Sequence, residues 1–241
     1  MSKPFVFCHM ETSLDGKIMG PWMSSETAAA SGGCFYEIAF GETPHYQHQG
    51  WLSGRVTTDD NFTDYRTPEL DENAAPVPAG DFVADPDAAM HYVSIDPSGR
   101  LGWDSATLTY RTTQAHVVEV LSERASNAYK AFLRGLGISY IICGETEIDF
   151  SLMLEKLRGF FGIESLMLGG GGVLNWSFIQ QGLCDELSIV LCPAANGSTT
   201  TPALFAQKDD LSTIDPVGFK LIDVERLRGD ALWLRYAVKN G

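Results

Sequence analysis

The stretch Leu166-Met167-Leu168-Gly169-Gly170-Gly171-Gly172-Val173-Leu174-Asn175 decides the fold. Its apolar residues end a strand, four glycines follow, and a second apolar run opens a helix predicted over residues 173–181. A backbone without Cβ atoms can turn tightly and approach a ligand closely. Free N–H groups at a helix start favour anionic oxygens. A tight turn at positive φ needs one or two glycines. Four in a row exceed that need and point to phosphate or dinucleotide binding. The run is neither a Walker motif nor a Gly-x-Gly-x-x-Gly fingerprint with an acid about 20 residues on.

The alternation continues outward from this turn. Strands are predicted over residues 5–10, 51–56, 90–95, 116–121, 138–143, 165–168 and 186–192. Helices are predicted over residues 125–135 and 150–160, and another from Ser24 or Ser25 to about Phe40, weakened by Gly32-Gly33. Residues 219–224 and 231–238 read as a closing hairpin across Arg228-Gly229-Asp230. Residues 68–86, rich in Pro, Asp, Glu and Ala, read as a solvated surface excursion. Strand–helix–strand order implies a mostly parallel central sheet with helices on both faces and an antiparallel C-terminal strand pair. One α/β domain over residues 1–241 is the simplest arrangement.

Composition narrows the function. The 241 residues carry 17 Lys+Arg against 31 Asp+Glu, a net charge of -14. Such a chain repels nucleic acid and anionic membrane surfaces unless its basic residues cluster, and no run of four basic residues exists. No apolar run approaches the ~18–20 residues that span a bilayer, and residues 1–10 show no signal-peptide pattern. Five widely spaced cysteines, with no Cys-x-x-Cys, argue against a disulfide framework and for a reduced, cytoplasmic location. The expected partner is a small molecule, which can still be phosphorylated because a local pocket can differ in sign from the whole.

Two further turns follow strands. Ser13-Leu14-Asp15-Gly16-Lys17-Ile18 is either a β-turn held by Asp15 or part of a site. Gly54-Arg55-Val56-Thr57-Thr58-Asp59-Asp60 reads as a strand end feeding a polar loop. Asp185 and Glu186 are adjacent, face opposite ways on a strand, and suit capping or a dimer contact better than acid–base work. His45 and His48 lack companions for a metal site, and no metal is expected. No Gly-x-Ser-x-Gly elbow is present.

Taken together, Ser13–Ile18, Trp22-Met23-Ser24, Gly54-Arg55-Val56-Thr57, the glycine run through Asn175 and Gly182-Leu183-Cys184-Asp185-Glu186-Leu187 resemble the reductase domain of riboflavin biosynthesis. This is the RibD C-terminal domain family, of dihydrofolate-reductase-like fold. The resemblance spans roughly residues 5–240. It implies an NADPH-dependent reductase and a homodimer. The reaction it implies turns the ribose of a phosphoribosylamino-pyrimidine, such as 5-amino-6-(5-phosphoribosylamino)uracil, into a ribityl chain. By the same resemblance Thr12, Trp22, Thr57, Asp59, Ser122 and the residues Gly170, Gly171, Gly172, Val173, Leu174 and Asn175 line the NADPH site, with Glu11 beside Thr12. Arg124 is the candidate for a 2′-phosphate, Arg66 and His45 stand at substrate positions, and Asp15 is the candidate proton relay.

Three positions depart from the family pattern. Gly169 stands where a Glu often precedes the glycines. His45 stands where an Arg is usual, and Gly20 where a Ser is common. A His mostly neutral at pH 7 does not replace a bidentate Arg–phosphate contact. These departures leave open a reductase of another carbonyl, imine or pterin substrate, and a nucleotide-binding module without chemistry.

Overall fold

The computed structural model describes residues 3–208 and 211–239. In chain order they form β1 (Phe5–Thr12), α1 (Glu26–Ala30), α2 (Cys34–Phe40), β2 (Gly50–Gly54), α3 (Arg55–Thr58), β3 (His91–Ile95), β4 (Thr107–Tyr110) and β5 (Thr113–Leu121). There follow α4 (Asn127–Leu136), β6 (Ser139–Ile142), α5 (Phe150–Phe161), β7 (Ser165–Leu168), α6 (Gly172–Gln180), β8 (Glu186–Leu191), β9 (Phe219–Arg226) and β10 (Leu232–Val238). The class is α/β with mixed strand pairing, mostly parallel and closed by an antiparallel C-terminal pair. No helix among the described residues is long and apolar enough to cross a membrane. The chain divides into two compact units and passes from one to the other three times, before Phe5, before His48 and within β7.

The first unit comprises His48–Leu166 with the described residues before Phe5. In it β2 pairs β3, β3 pairs β5 and β5 pairs β6, all parallel. The hairpin strand β4, unforeseen from sequence, pairs antiparallel with the start of β5. Val93, Val117, Val118, Val120, Leu121 and Ile141 are fully or almost fully buried, as continuous apolar strands covered on both faces require. Ser126 and Asp149 cap α4 and α5 by accepting from the N–H groups of Tyr129 and Leu152.

Two sequence expectations fail locally. The strand predicted over residues 51–56 ends at Gly54, and the expected polar loop is helical through α3 and a π-turn over Asp59–Thr63. The β-branched residues Val56-Thr57-Thr58 favour extension, but tertiary hydrogen bonds win. Thr58 Oγ1 is buried and bonds Tyr92 Oη and Ser94 Oγ, each at 2.8 Å. The Arg55–Asp59 pair at 2.8 Å closes the helical turn.

The second unit comprises Phe5–Gln47 and the described part of Met167–Gly241. Here β1 and β8 are parallel, β10 runs antiparallel to β8, and β9 runs antiparallel to β10. The helix predicted from Ser24/Ser25 to Phe40 is split. Ser25 caps α1, the chain breaks at residues 31–33, and Gly33 enters α2 at φ 90°. Asp185 accepts from Val6 N–H at 2.9 Å. The adjacent Glu186 is buried and bonded to Arg235 and Tyr46. The pair is therefore structural. All five cysteines are free and buried.

The excursion over residues 68–86 is largely exposed, but it is pinned. Phe82 and Tyr140 exchange backbone hydrogen bonds of 2.9 and 2.8 Å. Asp81 accepts from Ile142 N–H at 2.7 Å and from Lys156 Nζ at 2.9 Å. Asp81→Ala leaves both donors without that acceptor. The variant is expected to lose about 1–3 kcal/mol of stability in chemical denaturation and to be cleaved faster within residues 68–86. Unchanged stability would show that the excursion is anchored elsewhere.

Candidate active site

In the second unit the glycine turn joins β7 to α6. Gly170 has φ +93°, which only glycine adopts readily, and a Cβ there would stand 3.1 Å from Met10 Cε. A Cβ on Gly172 would stand 2.2 Å from the carbonyl oxygen of Ala203. Packing thus accounts for two of the four glycines. Gly171, at φ -77° and ψ -170°, is extended backbone open to any residue, and Gly169 has no positive φ. No side chain caps α6 at its start. Asn175 is fully buried there. Its Nδ2 donates to Leu204 O at 3.1 Å, while its Oδ1 has no partner. An uncapped helix start and backbone bare of Cβ atoms fit phosphate oxygens, whereas the orphaned Asn175 Oδ1 is an acceptor and calls for a donor such as a ribose hydroxyl.

The turn after β1 belongs to the same construction. Leu204 N–H donates to Gly16 O at 2.9 Å, Ile18 N–H to Pro202 O at 3.0 Å, and Ala206 N–H to Gly172 O at 3.1 Å. Segment 202–206 therefore ties the Ser13–Ile18 turn to the start of α6, so the structure brings two of the predicted motifs together. Sequence reading missed this segment, because nothing in Thr201-Pro202-Ala203-Leu204-Phe205 distinguishes it from an ordinary loop.

Asp15 is exposed within that turn. Its Oδ1 accepts from Ser13 Oγ at 2.6 Å and its Oδ2 from Gly197 N–H at 3.0 Å. The Ser13 hydroxyl holds its carboxyl below the usual carboxylate range, away from the neutral form that could donate a proton. Thr12 ends β1 in a buried position, and its carbonyl accepts from Cys192 N–H. Cys192 Sγ stands 3.0 Å from Glu11 Oε1. Trp22 is buried against Ala28 and Cys192, with its Nε1 donating to Met19 O.

Two of the departures from the family pattern have settings that the structure defines. Gly20 has φ +118°, a backbone conformation that L side chains rarely adopt, so a Ser there would be strained. His45 stands edge-on to the rings of Tyr46 and Trp233, each at 4.8 Å between centroids. Partial burial and the nearby Arg235 guanidinium lower its pKa and keep it neutral.

The remaining predicted residues lie in the first unit. Asp59 and Arg66 line one recess with Arg55, Tyr65, Gly99 and Arg100, a basic spot in an acidic chain. Asp59 is buried and accepts from Arg55 and from Thr63 Oγ1, so its carboxylate is engaged by the protein. Arg66 is paired with Asp104, and both are exposed. Thr57 accepts from Asn61 through its carbonyl. The Ser122 hydroxyl donates to Pro97 O at 2.7 Å and accepts from Arg124 N–H at 3.3 Å. Ser122 is thus tied into the loop 97–101, and the Arg124 side chain is exposed.

With this geometry in hand, comparison with known proteins is informative. The 2,5-diamino-6-ribosylamino-4(3H)-pyrimidinone 5′-phosphate reductase of Aquifex aeolicus is 31% identical over 93 residues, 39% of this chain and 41% of that protein. The reductase of the same name from Methanothermobacter thermautotrophicus is 33% identical over 99 residues, 41% of this chain and 45% of that protein. The matched segment thus spans less than half of each curated relative. A solved pyrimidine reductase-like protein from Corynebacterium diphtheriae superposes with a TM-score of 0.65 at 14% identity, covering 99% of this chain and 93% of that one. A riboflavin biosynthesis reductase from Saccharomyces cerevisiae gives 0.59 at 15% identity, covering 98% and 90%. At such identities these likenesses speak for the fold alone. The sequence profile of the RibD C-terminal domain matches residues 4–232, and the chain belongs to the RibD C-terminal domain family.

Proposed function

We propose that this chain is an NADPH-dependent reductase acting on a phosphoribosylamino-pyrimidine of riboflavin biosynthesis. The observation that carries this reading is the glycine turn, where Gly169 and Gly171 are not demanded by positive φ and the start of α6 is uncapped. The names of the curated relatives make 2,5-diamino-6-ribosylamino-4(3H)-pyrimidinone 5′-phosphate the first substrate to test, with 5-amino-6-(5-phosphoribosylamino)uracil beside it.

When bound, the nicotinamide supplies a hydride. The chain's own residues bind and orient. The N–H groups of Gly172, Val173 and Leu174 at the uncapped start of α6 would hold phosphate oxygens, and Asn175 holds the turn through Leu204. Arg124 is the candidate for the cofactor's 2′-phosphate, and Arg66 for the substrate phosphate once it leaves Asp104. The test is NADPH oxidation by the purified protein with both pyrimidines. Binding of NADPH without turnover of either would favour the nucleotide-binding module, a reading for which the altered Gly20, His45 and Gly169 speak.

Gly171→Asp adds a carboxylate at the start of α6 without backbone strain. NADPH affinity measured by calorimetry is expected to fall at least tenfold, about 1.4 kcal/mol, in a folded protein. Unchanged affinity would remove the phosphate cradle. Asp15→Asn keeps most of the turn's hydrogen bonds. Because both carboxylate oxygens are engaged, by Ser13 in the turn and by Gly197, single-turnover NADPH oxidation is expected to stay near the wild-type rate. A loss of roughly two to four orders of magnitude, with NADPH still bound, would make Asp15 a proton relay.

A homodimer is part of this proposal. Strand β9 is an edge strand whose Leu221 and Val224 are about half exposed. Leu221 opposes Tyr236 and Val224 opposes Leu234 across a bulge, so both occupy one face. Antiparallel pairing of β9 with a second copy, Leu221 against Val224, also sets Lys220 of one copy opposite Glu225 of the other. The double variant Leu221→Asp, Val224→Asp is expected to sediment as a monomer with unchanged circular dichroism. A dimer that persists would place the interface elsewhere.

A further inference from the structure

Strand β5 of the first unit carries a charged residue where its neighbours are valines. Glu119 is fully buried, and its Oε1 accepts from Trp103 Nε1 at 2.5 Å. Its Oε2 has no partner, and neither does Oδ1 of the fully buried Asp96. In the first unit these are the two buried side-chain oxygens left unbonded among the described residues. Both belong to carboxyl groups, and an orphaned buried acceptor costs about 1–3 kcal/mol.

The strand register brings the two together. Ser94 of β3 is the partner of Glu119. Asp96 continues that strand by donating its N–H to Val120 O at 3.1 Å. Two residues beyond Ser94, Asp96 is on the same face as Glu119 and is its diagonal neighbour. Such neighbours stand about 7–8 Å apart, within reach of long side chains. The other oxygen of Asp96 accepts from the N–H groups of Arg100 and Leu101, which closes the loop 97–101. That loop places Arg100 in the basic recess with Arg55 and Arg66.

We propose that Glu119 is a neutral carboxylic acid whose hydroxyl donates to Asp96 Oδ1, and that this shared proton makes Glu119 a positioning residue for the Arg100 loop. One proton satisfies both orphaned oxygens and removes the repulsion between two buried carboxylates. The surroundings agree. Burial first, and then the charges of Asp96 and Asp59, raise the Glu119 pKa, while Trp103 lowers it. Burial raises that of Asp96 against the pull of its loop N–H groups, Arg55 and Arg100. Tyr92 and Tyr129 also face the pair, and both stay protonated phenols because their pKa values are raised; the Tyr129 hydroxyl, within reach of Asp96, donates instead to Leu101 O at 3.1 Å.

The sign follows from the raised pKa. The folded state holds a proton that the unfolded chain releases near the ordinary carboxylate value of about 4. The pair's stabilisation is complete below that value and is lost as pH rises through the folded pKa. Over that window the folding equilibrium constant falls about tenfold per pH unit.

Infrared spectroscopy of the wild-type protein at neutral pH tests the proton directly. A protonated carboxylic acid band is expected, and Glu119→Gln is expected to abolish it. Chemical denaturation from about pH 5 to about pH 9 is expected to show the slope in wild type and its loss in Glu119→Gln. Asp96→Asn is expected to flatten the slope as well, because its amide can donate to an ionised Glu119. The backbone amide resonances of Arg100 and Leu101 are expected to titrate with the band, which a merely structural Glu119 would not cause. Absence of the band from wild type, its survival in Glu119→Gln, or parallel stability profiles in wild type and the Gln variant would overturn the proposal. None of these readouts depends on turnover.

Discussion

The segment 202–206 has little regular structure, yet the second unit's candidate site hangs from it. Its backbone groups bond Gly16, Ile18 and Gly172, and Leu204 O holds the Asn175 side chain. The turn after β1 and the start of α6 therefore share one scaffold. Gly172 is fixed by this closeness, because a Cβ would meet Ala203 O at 2.2 Å. The glycines are thus of two kinds. Gly170 and Gly172 let the protein close on itself, while neither Gly169 nor Gly171 is demanded by positive φ.

A similar division holds in the first unit. Parallel strands bury their faces and leave polar loops at their carboxyl ends, where ligands of open α/β sheets bind. Here the loops are held by side chains from within. Thr58 reaches Tyr92 and Ser94, Ser122 reaches Pro97, and Asp96 reaches Arg100 and Leu101. Three arginines thereby gather in a protein of net charge -14. Such a patch can hold a phosphate despite the field of the whole chain.

Much of this was legible before the structure. The apolar runs predicted as strands are strands, and residues 165–168 agree to the residue with β7. The signal was periodicity and β-branched content, which report burial directly. Where the local pattern conflicted with tertiary bonds, the tertiary bonds won. Val56-Thr57-Thr58 reads as extended, yet Thr58 is drawn into a buried hydroxyl network and the segment coils. Thr107–Tyr110 pairs as β4 although none of its side chains is buried, exposed residues alternating with half-buried ones, and so short a run carried little signal of burial.

The site residues divide in the same way. Sequence alone determined the fold class, the glycine turn and the family, because these rest on the order of strands and on residue types that only certain backbones accept. The tertiary structure decided which groups are engaged. It engaged one Asp15 oxygen with Ser13 in the turn and the other with Gly197, tied Ser122 to a loop carbonyl and gave Arg66 the partner Asp104. It also revealed Glu119 and Asp96 as neighbours, 23 positions apart in the chain. The reason is physical. Burial pattern and turn chemistry are written in adjacent residues, whereas a hydrogen-bond partner or a shared proton depends on which distant side chain the register places across the sheet.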